Sequence, residues 1–400
     1  MAKTIADIDV TGKTVLMRVD FNVPLADGKV TNDRRIVLAM PTIQKVLDSG
    51  AKLVLMSHLG RPKGKVADEF SLAPVAKRLS ELLDKPVKLG PTPVAGDEAN
   101  RMISALGEGD VMLLENLRFD PREKSKDDTE LESFAAELTA GADVYVNDAF
   151  GTCHRKHASM YAAAQAVQAK SGPAVAGYLV EKEIKYLHEA VAEPARPFVA
   201  ILGGAKVSDK IKLISALLGK VDRILIGGAM AYTLLKARGE SVGISLVEED
   251  QVEVMKHLLA EAGDKILLPC DHLGATEFTS DQAVAVSDPS IGDDLMGMDI
   301  GPKTIEAFSE VISSAGTVIW NGPMGVFERD AYAVGTRAVA QAVAGVTDGG
   351  ATSVIGGGDS AAAVEQMGLG ERMTHVSTGG GASLTYLEGK PMPPIEVLDK

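Results

Sequence analysis

Residues 198–206, Phe-Val-Ala-Ile-Leu-Gly-Gly-Ala-Lys, join a continuous apolar run to a glycine loop that ends in a lysine. Five apolar residues in succession are typical of a parallel strand that is buried on both faces. Glycines directly after such a strand allow backbone N–H groups to approach a phosphate closely. The segment therefore predicts an α/β fold with an anion-binding loop at the carboxyl end of a strand.

Short apolar runs of the same kind recur along the chain, and longer amphipathic stretches separate them. This alternation predicts parallel sheets that are covered by helices on both faces, with right-handed crossovers. The other predicted strands cover 15–19, 53–56, 111–114, 144–146, 224–226, 266–268, 318–320 and 353–355. The predicted helices cover 71–83, 131–140, 179–192, 209–218, 248–262 and 334–343.

The length of 400 residues favours two domains over one sheet of nine or more strands. The segment 176–197 is predicted to connect them, because it is a charged helical stretch that Pro194 and Pro197 terminate. We therefore expect two doubly wound parallel-sheet domains of Rossmann-like form, joined by a long helix, with a cleft between them. Their expected bounds are 1–175 and 198–387, and the tail 388–400 is expected to pack back onto the first domain.

Composition narrows the class of protein. The 41 Lys and Arg residues against 55 Asp and Glu residues give a formal charge of −14, which is unfavourable for general nucleic-acid binding. Cys153 and Cys270 are the only cysteines, so a disulfide framework is excluded and a reducing compartment is indicated. The first ten residues contain no apolar h-region, so we expect no secretory signal, and no uncharged apolar run approaches roughly 18 residues. We expect a cytoplasmic protein without nucleic-acid or membrane partners.

Polar and basic side chains follow the predicted strands of the first half. The carboxyl ends of parallel strands are where open α/β sheets bind ligands, and the planar guanidinium of arginine suits phosphate or carboxylate oxygens. Several arginines and histidines at one sheet edge of an acidic protein predict a site for a small, strongly anionic ligand. The residues in question are Asp20, Asn22, Arg34, Arg35, His58, Arg61, Asn116, Arg118, Asn147, Asp148, His154, Arg155 and His157.

The strands of the second half run into glycine clusters at 203–204, 227–228, 322–325 and 356–358. Lys206 and Lys210 lie at the start of the helix after the first cluster, and Asp359 is a carboxylate suited to Mg²⁺ on a polyphosphate. This chemistry predicts a nucleotide-binding half.

The segment 153–157, Cys-His-Arg-Lys-His, offers a zinc site or a nucleophilic thiol as alternatives. Two cations lie among these ligands and no fourth ligand follows at a familiar spacing, so the anion site is the preferred interpretation.

Eight motifs, in order along nearly the whole chain, resemble those of the phosphoglycerate kinase family. Departures are small, with Ser360 where threonine is usual and Cys153 where alanine is common. The resemblance implies the two-domain fold and an ATP:3-phosphoglycerate 1-phosphotransferase of glycolysis and gluconeogenesis, which transfers the acyl phosphate of 1,3-bisphosphoglycerate reversibly to MgADP. The matching segments cover 18–24, 57–62, 115–119, 147–151, 203–207, 320–323, 325–328 and 356–359.

The resemblance also assigns site residues. Catalytic roles are implied for Arg35, Lys206 and Lys210, and Mg²⁺ would be held by Asp359. The implied phosphoglycerate site comprises Asp20, Phe21, Asn22, Arg35, His58, Leu59, Gly60, Arg61, Arg118 and Arg155. The implied nucleotide site comprises Gly204, Ala205, Lys206, Lys210, Gly227, Gly228, Asn321, Pro323, Gly325, Glu328, Gly357, Gly358, Asp359 and Ser360.

The implied partners are 3-phosphoglycerate or 1,3-bisphosphoglycerate and ADP or ATP, and the implied state is a monomer. Two alternatives stay open at this point. One is another ATP-dependent small-molecule kinase that acts on a hydroxyl, for which Asp20 would be the base. The other is a non-enzymatic anion-binding protein of two lobes, which would leave Lys206, Asp359 and the glycine loops unexplained.

Overall fold

A computed structural model describes residues 2–400. The chain forms two compact units within this range. The first consists of residues 2–184 together with Pro391–Lys400, and the second of Lys185–Lys390.

The first unit is built on a six-stranded parallel sheet. Its strands are β1 (Thr14–Val19), β4 (Lys52–Met56), β5 (Val87–Leu89), β6 (Val111–Leu113), β7 (Val144–Asp148) and β8 (Ala174–Ala176), and β2 (Leu25–Ala26) and β3 (Lys29–Val30) form a separate hairpin. The sheet order is β5-β6-β4-β1-β7-β8. The helices are α1 (Arg34–Asp48), α2 (Ala73–Leu83), α3 (Asp97–Ser104), α4 (Asp128–Leu138), α5 (Ala163–Ala169), α6 (Tyr178–Ala192), which continues past the end of the unit, and α14 (Pro393–Glu396).

The second unit contains another six-stranded parallel sheet and a small antiparallel sheet. Its strands are β9 (Phe198–Leu202), β10 (Arg223–Ile226), β11 (Ile266–Leu267), β12 (His272–Ala275), β13 (Val284–Val286), β14 (Met296–Ile300), β15 (Thr317–Asn321), β16 (Thr352–Gly356) and β17 (His375–Val376). The parallel order is β11-β10-β9-β15-β16-β17, and the antiparallel order is β13-β12-β14. The helices are α7 (Ile211–Leu218), α8 (Met230–Arg238), α9 (Val252–Ala262), α10 (Pro302–Ser313), α11 (Val334–Asp348), α12 (Gly358–Gln366) and α13 (Gly380–Leu387).

The predicted α/β class is confirmed, and each of the nine predicted strands is present. The central strands β1, β9 and β15 are buried along nearly their whole length, because helices cover both faces of each sheet. Parallel pairing in register, for example Val15 opposite both Leu53 and Val144, brings the carboxyl ends of neighbouring strands to one edge. That edge carries the polar residues singled out above.

The C-terminal residues lie against the first unit. The backbone N–H of Asp399 donates to the carbonyl of Ala174 over 2.8 Å, and the Asn147 side chain donates to the carbonyl of Pro394 over 3.1 Å. Within residues 2–400, none of the helices is long and apolar enough to cross a membrane.

Candidate active site

Asp20, Asn22 and Arg35 are held together at the end of β1. The Arg35 guanidinium donates from Nη1 to Asp20 Oδ2 over 2.9 Å and to the backbone carbonyl of Asn22 over 3.3 Å. The side-chain oxygen of Asn22 accepts from the N–H of Gly60 over 2.9 Å. The loops after β1 and β4 are thereby joined, and three predicted ligands share one position in the first unit.

Arg118 lies beside this group in the 3₁₀ turn that follows β6. Its Nη1 donates to the carbonyl of Gly60 over 2.6 Å, whereas its buried Nε has no partner among residues 2–400. Burial, together with the nearby cations Arg18 and Arg155, lowers the pKa of Arg118 to about 10. A buried guanidinium with an unused donor and like charges around it is suited to an anion.

Arg18 is a component of this cluster that sequence reasoning did not assign to the site. It lies within β1 and is fully buried, and it donates to Ser159 Oγ over 3.0 Å and to His58 Nδ1 over 3.1 Å. The available signal was the single arginine in an otherwise apolar strand. A buried charge requires partners, and Arg18 has them beneath the predicted phosphoglycerate ligands.

The histidines of the cluster are neutral. Burial, with the charges of Arg18 and Arg118, keeps the pKa of His58 well below its ordinary value. Burial, together with the charge of Arg155, lowers the pKa of His154 to about 4 and that of His157 to about 3. Burial is the main cause of all three lowered pKa values, and the neighbouring arginines act in the same direction, so the histidines add little positive charge to that of the arginines.

The remaining predicted ligands of the first unit differ in exposure. Phe21 and Leu59 are buried, and the Leu59 N–H donates to Asn116 Oδ1 over 3.2 Å. Arg61 and Arg155 are exposed, and Arg155 Nε donates to His154 Nε2 over 2.9 Å. The predicted ligands of the first unit thus include buried apolar residues as well as exposed guanidinium groups.

The metal and thiol interpretations of the segment 153–157 gain no support. Cys153 is fully buried, and that burial raises the pKa of its thiol, which is the environment of an inert structural cysteine. Within residues 2–400, no group of three or more His, Cys, Asp or Glu side chains is arranged to hold a metal ion.

The second unit contains a cavity of about 510 Å³ beside its glycine loops. Such a volume is in the usual range for a small-molecule site. Seven of the predicted nucleotide ligands line it, from the loops after β9, β10, β15 and β16. They are Gly204, Ala205, Gly228, Pro323, Gly325, Glu328 and Asp359.

The glycine loops approach one another closely behind the cavity. Gly228 donates to the carbonyl of Met324 over 2.8 Å, and Gly204 donates to the carbonyl of Pro323 over 3.1 Å. Gly228 has φ +68°, and a Cβ there would lie 2.5 Å from the nitrogen of Gly204. Only glycine satisfies both conditions without strain, so this residue fixes how the loops meet.

The other predicted nucleotide ligands lie at the helix starts and strand ends nearby. Lys210 directly precedes α7 and donates from Nζ to Asn321 Oδ1. Gly357 caps α12 with φ +90°, and Gly358 is the first residue of that helix. Ser360 is buried and accepts from the N–H of Gly322 over 2.6 Å.

Two predicted nucleotide ligands remain, and both follow strands. Lys206 is exposed, and Gly227 packs on Met324.

The apolar wall of the cavity was not predicted. Most of it comes from the segments 244–246 and 276–283 and from β14, which are far from the glycine motifs in the sequence, whereas Ala229 and Val326 directly follow motif glycines. Their composition offered no distinctive signal, since single apolar residues in polar loops are common. The missed lining residues are Ala229, Ile244, Leu246, Phe278, Met296, Gly297, Met298 and Val326.

Comparison with known proteins decides between the open alternatives. The family model described as phosphoglycerate kinase matches residues 5–390. The chain belongs to the phosphoglycerate kinase family. It is 56% identical over 402 residues to the phosphoglycerate kinase of Prosthecochloris aestuarii, covering 99% of each chain. It is also 56% identical over 405 residues to that of Rhodopirellula baltica, covering 100% of this chain and 99% of the relative.

Solved structures of the family agree. The phosphoglycerate kinase of Coxiella burnetii superposes with a TM-score of 0.87 at 40% identity, covering 99% of this chain and 98% of that one. The phosphoglycerate kinase of Pyrococcus horikoshii superposes with a TM-score of 0.85 at 34% identity, covering 100% of this chain and 98% of that one. The predicted family, fold class and phosphoglycerate kinase activity are therefore confirmed.

Proposed function

We propose that the first unit binds 3-phosphoglycerate and the second binds the magnesium nucleotide. In the first unit, Asp20 and Asn22 hold the hydroxyl and carboxyl end of phosphoglycerate. His58, Arg61, Arg118 and Arg155 hold its 3-phosphate, while Phe21, Leu59 and Gly60 shape the site. The observation that supports this assignment is the partly unpaired, mutually repelling cation cluster around Arg118.

The nucleotide occupies the cavity of the second unit in this proposal. Its base lies against Gly227, Gly228 and the apolar wall, and Glu328 binds the ribose hydroxyls. The phosphates lie near Lys206, Lys210, Asn321 and the start of α12 at Gly357 and Gly358. A helix start binds phosphate because its N–H groups are unpaired and its dipole is positive there.

Mg²⁺ enters as part of the nucleotide substrate. Asp359 is exposed and lines the cavity, so its carboxylate is accessible to a cation on the phosphates. Mg²⁺ is commonly bound by one or two carboxylates together with substrate phosphates and water. A single aspartate at the cavity therefore fits the proposed MgADP and MgATP complexes.

The chemistry needs no general base. The attacking β-phosphate oxygen of ADP and the departing carboxylate of 1,3-bisphosphoglycerate are both anions already. The protein must align them and neutralise charge on the transferring phosphoryl group. Arg35, Lys206 and Lys210 supply that charge in this proposal, which makes them the catalytic residues.

A coupled assay with 3-phosphoglycerate and MgATP tests these assignments. Turnover with 3-phosphoglycerate but not with simple alcohols is expected, since Asp20, the candidate base for a hydroxyl acceptor, is ion-paired with Arg35. Equal turnover with an alcohol would contradict the assigned acceptor.

The two ligands must meet in line during transfer, so we propose that ligand binding closes the two domains, with the segment 176–197 as the hinge. Small-angle scattering should show a smaller radius of gyration with both ligands than with neither; no change would contradict closure.

We also propose that the enzyme is a monomer and that it is cytoplasmic. Sedimentation tests the oligomeric state, and cell fractionation tests the location.

A further inference from the structure

The wall of the nucleotide cavity includes a loop whose position depends on side chains outside the family motifs. This loop, residues 276–283, connects β12 to β13. Phe278 of this loop lines the cavity, although 58% of the residue is exposed to solvent. An aromatic ring that is so exposed has few packing contacts to hold it in place. Another part of the structure must fix the loop.

Arg329 makes the contacts that fix it. Its Nε donates to Asp281 Oδ1 over 3.0 Å, its Nη2 donates to the carbonyl of Thr279 over 2.6 Å, and its Nη1 donates to the carbonyl of Phe278. The Arg329 side chain is only 20% exposed, whereas that of Asp281 is 80% exposed. One planar guanidinium thus engages three residues of the loop, which is the geometry that lysine cannot reproduce.

Tyr332 completes the arrangement. The Arg329 guanidinium lies over the Tyr332 ring, 5.6 Å from its centroid, and the Tyr332 hydroxyl donates to the carbonyl of Ser280 over 2.8 Å. Stacking on an aromatic face keeps the guanidinium plane fixed. Residues 278–281 are therefore all fixed by contacts with one short segment of the chain, residues 329–332.

That segment directly follows residues that line the cavity. Arg329 directly follows Glu328, a cavity-lining residue and the proposed ribose ligand. The N–H of Arg329 donates to the carbonyl of Val326 over 3.0 Å, and the N–H of Val326 donates to the carbonyl of Met298 in β14 over 2.9 Å. Arg329 consequently links the loop that carries Phe278 to Val326 and Met298, which also line the cavity.

We infer that Arg329 is a positioning residue for nucleotide binding, which acts by holding Phe278 against the base end of the cavity. The inference rests on the proposed function of the cavity. It predicts a contribution to affinity for the base and none for the phosphates or for 3-phosphoglycerate, since the contacts of Arg329 are all with the loop, with Tyr332 and with its own segment.

The test is a double-mutant cycle on the full-length protein with Arg329→Ala and Phe278→Ala. We expect Arg329→Ala alone to raise KM for MgATP about fivefold to tenfold, a usual range for one coupled contact, with kcat and KM for 3-phosphoglycerate within about twofold of wild type. In the Phe278→Ala background, the same change should add less than about twofold. Arg372→Ala, which removes a surface partner of Asp348 in the same unit, is the matched control.

Two further measurements separate positioning from general damage. Inhibition by magnesium tripolyphosphate, which lacks a base, should be unchanged in Arg329→Ala. Asp281→Ala removes one of the three loop contacts and should raise KM for MgATP about twofold to threefold even if Arg329→Ala folds poorly.

Equal effects of Arg329→Ala with and without Phe278, or equal losses for MgATP and tripolyphosphate, would overturn the inference. An unchanged KM for MgATP in both Arg329→Ala and Asp281→Ala would also overturn it. An unchanged KM for MgATP in Phe278→Ala would instead contradict the proposed placement of the base in this cavity.

Discussion

Lys210 donates a hydrogen bond from Nζ to Oδ1 of Asn321, which lies 111 positions further along the chain. Lys210 directly precedes α7, whereas Asn321 is the last residue of β15. The contact therefore joins two strand-end loops that the sequence motifs assigned separately to the nucleotide. The amide nitrogen of Asn321 is buried without a partner in the described chain, which leaves an unused donor beside the lysine.

The charge of Lys210 should impose a pH limit on nucleotide use. Burial lowers the pKa of Lys210 to about 8, partly offset by Asp209 and Asp359. The cationic form is lost as the pH rises through that value, so kcat/KM for MgATP should fall above about pH 8. Lys210→Arg keeps the charge at higher pH and should remove this fall, whereas Lys212→Arg on the same helix should not. The same fall of kcat/KM at alkaline pH in Lys210→Arg as in wild type would contradict the proposed role of the Lys210 charge.

Asp359→Asn should weaken the use of Mg²⁺ while the fold persists. The substitution keeps the shape of the side chain and removes one negative oxygen ligand. We expect the free Mg²⁺ concentration for half-maximal activity to rise about tenfold or more, which corresponds to about 1.4 kcal/mol. Titration of activity against free Mg²⁺ measures this, with the exposed Asp293→Asn as the control. An unchanged Mg²⁺ dependence would indicate that Asp359 only stabilises the first turn of α12 and does not bind Mg²⁺.

The buried carboxylate of Glu123 should be important for the stability of the first unit. It accepts from the Ser159 hydroxyl over 2.7 Å and from the Ser159 N–H over 3.0 Å. Burial raises its pKa, and the charge of Arg18 opposes that rise. Glu123→Ala would leave Arg18 buried without compensation, and we expect a loss of about 3–5 kcal/mol in the free energy of unfolding.

Denaturant unfolding with a probe in the first unit measures this loss. Asp128→Ala, which removes the exposed partner of Lys156, should cost less than about 1 kcal/mol. Similar losses for the two variants would show that Glu123 does not compensate Arg18.

Asp148 should make stability depend on pH. Burial raises its pKa to about 7, opposed by hydrogen bonds from Thr42 and from the N–H groups of Leu179 and Val180. The folded state therefore retains a proton that the unfolded state has lost above about pH 4, and stability falls as the pH rises from about 4 to 7. Calorimetry between pH 5 and 8 should show the melting temperature of wild type falling relative to that of Asp148→Asn. A constant difference between them would contradict the raised pKa.

Strands buried on both faces were predictable because their burial requires continuous apolar runs, as in 198–202. The edge strands β5, β8 and β17 were not predicted, since none of them has a continuous run of Val, Ile or Leu: their sequences are Val-Lys-Leu, Ala-Val-Ala and His-Val. The antiparallel strands were also missed. Their sequences include His272, Gly274 and Asp299, and their pairing depends on contacts between distant segments that a local pattern does not contain.

The candidate site was predictable where topology alone fixes position. Ligands directly after strands, such as Asp20 and Gly204, converge because parallel strands end at one edge of a sheet. Phe278 and Ile244 were missed because long loops bring them to the cavity. Arg18 was missed because it lies inside a strand, and only residues that follow strands were considered as ligands.

Arg35 is the residue of the first unit that we propose neutralises charge on the transferring phosphoryl group, and its removal tests this role most directly. The measurement is kcat for MgATP and 3-phosphoglycerate at saturation in wild type, Arg35→Ala and Arg78→Ala. The two arginine side chains are 36% and 37% exposed, and each is paired with an aspartate. Arg35→Ala should lower kcat by about 10³ or more, the scale of an arginine that stabilises a transferring phosphoryl group, whereas Arg78→Ala should stay within about twofold of wild type. A kcat for Arg35→Ala within about threefold of wild type, under 1 kcal/mol of barrier, would contradict the account.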